Sequence, residues 1–157
     1  MLKKGLLTAV MIAFVTVFAI GSLQAGNKVD DEIMMKSDYP HTKGIVTFTH
    51  KKHNEEYGAG CGECHHDANN TPLTDLKMGD DVQKCIECHK KPGEVPKELK
   101  KEWKDKKVKK KEKDKLSREY HAEAMHDNCR TCHKKYNKKN KTKAAPTTCA
   151  KCHPKEE

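Results

Sequence analysis

Phe48-Thr-His50-Lys-Lys-His53-Asn-Glu-Glu-Tyr57-Gly-Ala-Gly-Cys61-Gly-Glu-Cys64-His65-His66 packs two thiols and four imidazoles into nineteen residues. Its Cys-x-x-Cys-His run is the attachment signature of a c-type heme. The two cysteines form thioethers to the porphyrin vinyls, and the histidine that follows reaches the iron from the same helical turn. Three more copies lie downstream, Cys85-Ile-Glu-Cys88-His89, Cys129-Arg-Thr-Cys132-His133 and Cys149-Ala-Lys-Cys152-His153, and the four together use all eight cysteines. A disulfide framework is the ordinary expectation for a cysteine-rich exported chain, but it does not place histidine after every second cysteine. Paired Cys-x-x-Cys units can also build tetrahedral zinc sites. The immediate histidine in every copy favours heme over both.

Export is read from the N-terminus. Two lysines precede an apolar run from Leu6 to Ile20, and Ser22-Leu23-Gln24-Ala25 ends on a small residue, the pattern of a cleaved signal peptide over residues 1–25. A retained anchor is the alternative, since the run falls only slightly short of a spanning helix. No charge cluster closes it, and no cysteine stands near the cleavage site to take a lipid. The expected product is a periplasmic domain of residues 26–157, with no stable membrane insertion after cleavage.

That domain is poor in the side chains that make a core. Leu, Ile, Val and Phe number 13 of its 132 residues, well under the share below which a charged chain is expected to stay disordered. Four covalently tied, largely apolar porphyrins would supply the missing buried surface. The expected fold is a multiheme cytochrome c, mostly irregular, with several short α-helices and a small N-terminal β-hairpin wrapped around four hemes.

Along the chain, residues 26–44 read as a loose arm leading into a short strand or hairpin at Ile45 to Thr49, with Val46 and Phe48 on one face. Asp67 to Lys84 reads as turns with room for one short helix. Residues 28–90 carry 8 basic and 12 acidic residues, whereas residues 91–118 carry 13 basic and 6 acidic. After Pro96 a single long Lys-rich helix is expected over Lys97 to Arg118, with Glu102/Lys106, Asp105/Lys109 and Asp114/Arg118 as i,i+4 pairs and a thin apolar stripe of Leu99, Trp103, Val108, Leu116 and Tyr120. Ser117 is expected to cap a second helix carrying Tyr120, His121 and His126 towards the third motif. Lys134 to Pro146 reads as a linker.

Counting imidazoles sharpens the ligand problem. His65, His89, His133 and His153 serve as proximal ligands, leaving His41, His50, His53, His66, His121 and His126 for four distal positions. His50 and His53 share one side of a helical turn. His66 cannot point at the iron held by its neighbour His65, so as a ligand it must reach a second heme. Met34, Met35, Met78 and Met125 are alternative ligands that the spare histidines make unnecessary.

The pattern from residue 45 to 153 resembles the class III cytochromes c, the cytochrome c3 group of tetraheme electron carriers. The resemblance rests on Val46-Thr-Phe48-Thr-His50-Lys-Lys-His53, the doubled His65-His66, Ala124-Met125-His126-Asp127 and the order of the four motifs. It implies His65 with His50 on heme 1, His89 with His66 on heme 2, His133 with His53 on heme 3 and His153 with His126 on heme 4, with His121 the rival to His126. Three departures stand out. All four motifs have two residues between the cysteines, His126 lies three before Cys129, and the 91–118 insertion is long.

Two nitrogen ligands per iron leave no site for a substrate and favour low potentials. The expected function is a low-potential electron carrier, not an enzyme, and the resemblance implies a donor such as a hydrogenase and a membrane or soluble acceptor. The alternative is a multiheme reductase with one open heme. The Lys-rich region reads as a solvated helix or a docking surface for an acidic partner, with heme 4 at the docking end. Nucleic acid is not an expected partner, because the chain is exported and has few aromatics to stack bases.

Overall fold

A computed structural model describes residues 29–155. The expected signal peptide lies outside the described residues. The elements run β1 (Ile33–Met34), β2 (Thr47–Phe48), α1 (His50–Glu55), a 3-10 turn (Cys61–Glu63), α2 (Cys85–Cys88), α3 (Lys97–Asp105), α4 (Lys110–Ser117), α5 (His121–Lys139) and α6 (Cys149–Cys152). β1 and β2 pair antiparallel, Ile33 opposite Phe48 and Met34 opposite Thr47. The expected strand is therefore present but shorter, and its partner comes from the arm that reads as loose. Two-residue strands carry little pattern of their own. Asp67 to Lys84 holds turns and no helix.

The single long Lys-rich helix is not formed. It stops at Asp105, Lys107 takes a left-handed φ of 52°, and a second helix starts at Lys110. Val108 N–H donates to Trp103 O at 2.9 Å and Lys107 N–H to Lys104 O at 3.0 Å. Those bonds make a Schellman stop, which brings an apolar residue just beyond the helix back towards one in its last turn. Trp103, 9 % exposed, and Val108 occupy the two positions. Burial of the indole outweighs the cost of a left-handed lysine, about 1–2 kcal/mol. Of the expected pairs, Glu102–Lys106 forms at 2.6 Å, whereas Asp114 pairs with Lys110 and Arg118 with Asp127.

α5 also departs from expectation. Ser117 ends α4 instead of capping the next helix, and Tyr120 is the N-cap of α5. The helix runs through the third motif and on to Lys139, taking in half of the expected linker. Residues 134–139 contain neither Gly nor Pro, so nothing local stops them. A second Schellman stop ends α5, with Lys141 at φ 50° and Thr142 N–H on Asn137 O at 3.0 Å.

The excursion that carries α3 and α4 is closed at its neck. Lys91 N–H donates to Glu119 O, His121 N–H to Lys91 O and Ala122 N–H to Gly93 O, at 2.8–3.0 Å. Lys100 Nζ reaches Glu123 Oε1 at 2.6 Å and ties α3 to α5. The buried apolar residues among those described, Val95, Trp103 and Ala124, all belong to this excursion and the start of α5. Among the described residues the four motifs themselves bury no apolar side chain, Ala124 being the buried one at the edge of the cleft between the first two, and apart from β1 on β2 the elements make few direct contacts with one another.

Candidate heme centres

Each Cys-x-x-Cys-His motif forms one helical turn. The histidine N–H donates to the carbonyl of the first cysteine in the first, second and fourth copies, His65 to Cys61, His89 to Cys85 and His153 to Cys149, at 2.8–2.9 Å. The third copy lies within α5. A spacing of three sets both thiols on one side of the turn. None of the eight cysteines is in a disulfide. Cys64 is pushed up to about 11, first by burial and then by Cys129 and Cys132. Cys129 is raised by burial and by Cys152 and Cys85. The surfaces of Cys64 and Cys129 are nonetheless open to water; crowding by neighbouring chain and by other thiols, more than lost surface, drives the shift. Cys64, Cys85 and Cys88, from the first and second motifs, line one cleft.

The histidines come together in twos. Ring centres lie 6.4 Å apart for His50 and His65, 6.0 Å for His66 and His89, 6.1 Å for His53 and His133, and 6.1 Å for His126 and His153. Two imidazoles sharing one metal through bonds of about 2 Å, each ring centre about 1.2 Å behind its nitrogen, come out roughly 6.3 Å apart. The four spacings fit that value. No set of three or more His, Cys, Asp or Glu side chains converges as a metal site among the described residues. The pairs suit the two faces of a planar macrocycle better than a tetrahedral ion.

The tautomer of the imidazoles fits as well. Nδ1–H donates to a backbone carbonyl from His53 to Thr49 (2.8 Å), His66 to Asp67 (2.7 Å), His133 to Pro146 (2.6 Å), His153 to Gly44 (2.8 Å), and His89 to Arg118. His126 turns Nδ1 to Glu94 Oε1 at 3.4 Å. Such bonds leave Nε2 as the nitrogen that can take a metal and make it a better donor. His50 Nδ1 is buried without a partner among the described residues. Burial, then His50 and His66, push His65 below its ordinary range, which favours the neutral ring that binds metal.

Local folding explains how these rings are aimed. α1 sets His50 and His53 one turn apart, and the Phe48 ring lies 4.6 Å from His53 and 5.7 Å from His50. Asp67 Oδ1 accepts from the N–H groups of Asn69 and Thr71 at 2.9 and 2.7 Å, bonds that hold its carboxyl below the usual range and tighten the loop after His66. Asn137 bonds Ala145 through both ends of its amide, folding the chain after α5 back so that Pro146 O meets His133. α5 carries His126 and His133 seven residues apart, on one face.

The spare histidines are engaged elsewhere. His121 is buried, and its Nδ1 receives Tyr39 O–H at 2.9 Å with Ser37 Oγ at 3.2 Å. Burial, then His89 and His41, lower its pKa. His41 Nε2 accepts Ser37 N–H at 3.0 Å, and its ring stacks on Tyr39. Among the expected site residues the structure thus brings together the four pairs that the resemblance implies and sets His121 beside the arm.

A family profile described as the class III cytochrome C family matches residues 27–153. The chain belongs to the class III cytochrome c family. Class III cytochromes bind c-type heme in several copies and transfer electrons. The Cys-x-x-Cys-His motifs account for its attachment points. Searches of curated proteins and of solved structures found no match. No helix among the described residues is long and apolar enough to cross a membrane.

The resemblance had no means of naming the carbonyls that hold the Nδ1 protons. Gly44 reads in sequence as punctuation, yet it is buried, and a Cβ there would stand 2.1 Å from Pro154 O. Arg118 reads as an i,i+4 partner. Backbone acceptors leave no residue-type signature, so only the fold reveals them.

Proposed function

We propose that this class III cytochrome carries four covalent hemes through Cys61/Cys64, Cys85/Cys88, Cys129/Cys132 and Cys149/Cys152. The four irons would be held by His65 with His50, His89 with His66, His133 with His53, and His153 with His126. It works as a low-potential periplasmic electron carrier and not as an enzyme. The observation that carries this reading is the set of four histidine pairs, each a motif histidine facing one from outside its motif at 6.0–6.4 Å.

When bound, heme supplies a one-electron iron couple. The chain's own part is to hold two neutral imidazoles per iron, so that no face is open to a substrate, and to fix Nδ1 protons on carbonyls, which favours the ferric state and a low potential. α1 and α5 each present ligands to two centres, and His65-His66 does the same, so short rigid elements set the distances between centres.

The electron donor implied by the resemblance is a protein such as a hydrogenase, and the acceptor a membrane or soluble redox protein. The basic α3–α4 excursion supports a partner with an acidic face, whose association would be steered by charge and weakened by salt.

A pyridine hemochrome assay with ferrous spectra on protein purified from the periplasm tests the reading. Four hemes per chain, all low-spin and indifferent to carbon monoxide, are expected. A carbon monoxide adduct would favour the reductase alternative.

A further inference from the structure

His89 is held unlike the other ligand histidines. His53 and His66 find acceptors beside them, at Thr49 and Asp67, while His133 and His153 use Pro146 and Gly44, which have no polar side chain. His89 donates Nδ1–H to the carbonyl of Arg118, 29 residues on. Among the described residues Arg118 is the only one of these five acceptors whose own side chain is ion-paired to another element, Nε to Asp127 Oδ2 on α5 at 3.1 Å. The second carboxylate oxygen takes Thr131 Oγ1 at 3.3 Å. Arg118 is also the last residue of the Lys-rich excursion, the C-cap of α4. The cleft between the first and second motifs is lined by Cys64, His66, Cys85, His89, Arg118 and Asp127.

We propose that Arg118 and Asp127 are positioning residues for His89. Their ion pair locks the Arg118 peptide, its carbonyl grips the imidazole proton, and the strength of that grip sets the potential of the second heme. The inference rests on the proposed axial role of His89. A histidine whose second nitrogen gives its proton to a well-placed acceptor is the stronger electron donor. Stronger donation favours ferric iron and lowers the potential, and hydrogen bonding around the axial ligand is one of the protein's levers on it. Both partners are about half exposed, at 49 and 53 % of their side-chain surface. An exposed pair contributes little to folding stability, so the positioning role is separable from the fold.

The test compares Arg118→Gln, Asp127→Asn, the double variant and Arg118→Lys in the holoprotein. The readouts are the four midpoint potentials, assigned heme by heme by NMR, and the exchange rate of the His89 Nδ1 proton. Arg118→Gln and Asp127→Asn should both raise the second heme's potential. The expected shift is up to tenfold in its reduction equilibrium, which is about 59 mV for one electron. Proton exchange should speed up, the double variant should match either single one, and Arg118→Lys should stay near the parent. A through-space charge effect has another signature: loss of the cation lowers the potential and loss of the anion raises it. Shifts of opposite sign would overturn the proposal, as would no shift, or a shift largest at the heme of His126. If the parent protein lacks a bis-histidine second heme, the ligand reading itself is lost; with that ligation intact, the sign pattern alone decides.

Discussion

A histidine in this chain is defined by what its Nδ1 touches. His126 and His121 lie five residues apart, at the start of the same helix, yet His126 faces His153 at 6.1 Å while His121 is tied to Tyr39. On the proposed ligation, His126→Ala should open one heme of four to carbon monoxide. His121→Ala should open none and should cost about 1 kcal/mol for the lost hydrogen bond; ferrous difference spectra and denaturant titration read the two effects. Gly44 gives a second test. A methyl group there meets Pro154 O, so Gly44→Ala must displace the chain beside His153 or the arm. Overpacking of this kind costs about 1–3 kcal/mol. A variant as stable as the parent, with an unchanged fourth heme, would show that the close approach is not needed.

Helices α3 and α4 show how an element is cut by a contact that its periodicity hides. The apolar stripe Leu99, Trp103, Val108 and Leu116 reads as one thin helical face, but the step from Trp103 to Val108 is five residues, the spacing of a Schellman stop. Lysine at the left-handed position masks a signal that glycine would have announced. Lys107→Gly should therefore stabilise the protein by about 1 kcal/mol. Its melting temperature should rise by a few degrees, and an unchanged or lower one would mean that Lys107 earns its place by a contact. The cysteine motifs were legible because covalent attachment demands particular residues at a particular spacing. Candidate distal histidines could be counted, and the resemblance supplied a pairing that His65-His66 adjacency alone left open. β1 was not legible, since Ile33–Met34 finds Phe48 only through the fold. Nor was the reach of α5 past the third motif, where the nearest proline, Pro146, lies seven residues beyond the helix.

At the scale of the whole molecule, what is buried decides whether the polypeptide folds alone. Val95, Trp103 and Ala124 are the buried apolar residues among those described, and they sit in the excursion and the start of α5. Three such side chains cannot offset the conformational entropy of ordering the rest. A chain with all eight cysteines changed to alanine should accordingly lose its cooperative unfolding transition and most of its far-ultraviolet helical signal. A sharp transition in that variant would show that the polypeptide carries a sufficient core.

The bond from His153 to Gly44 joins residues 109 apart. A polypeptide is made from its N-terminus, so the acceptor carbonyl is in place long before its donor exists. On the proposed ligation, the fourth centre would be completed only after the other three motifs have been synthesised. With that same ligation, the earlier centres would mature on a growing chain, and a product truncated before His153 would leave the Gly44 carbonyl without its donor and the arm before β2 without that tie to the fourth motif.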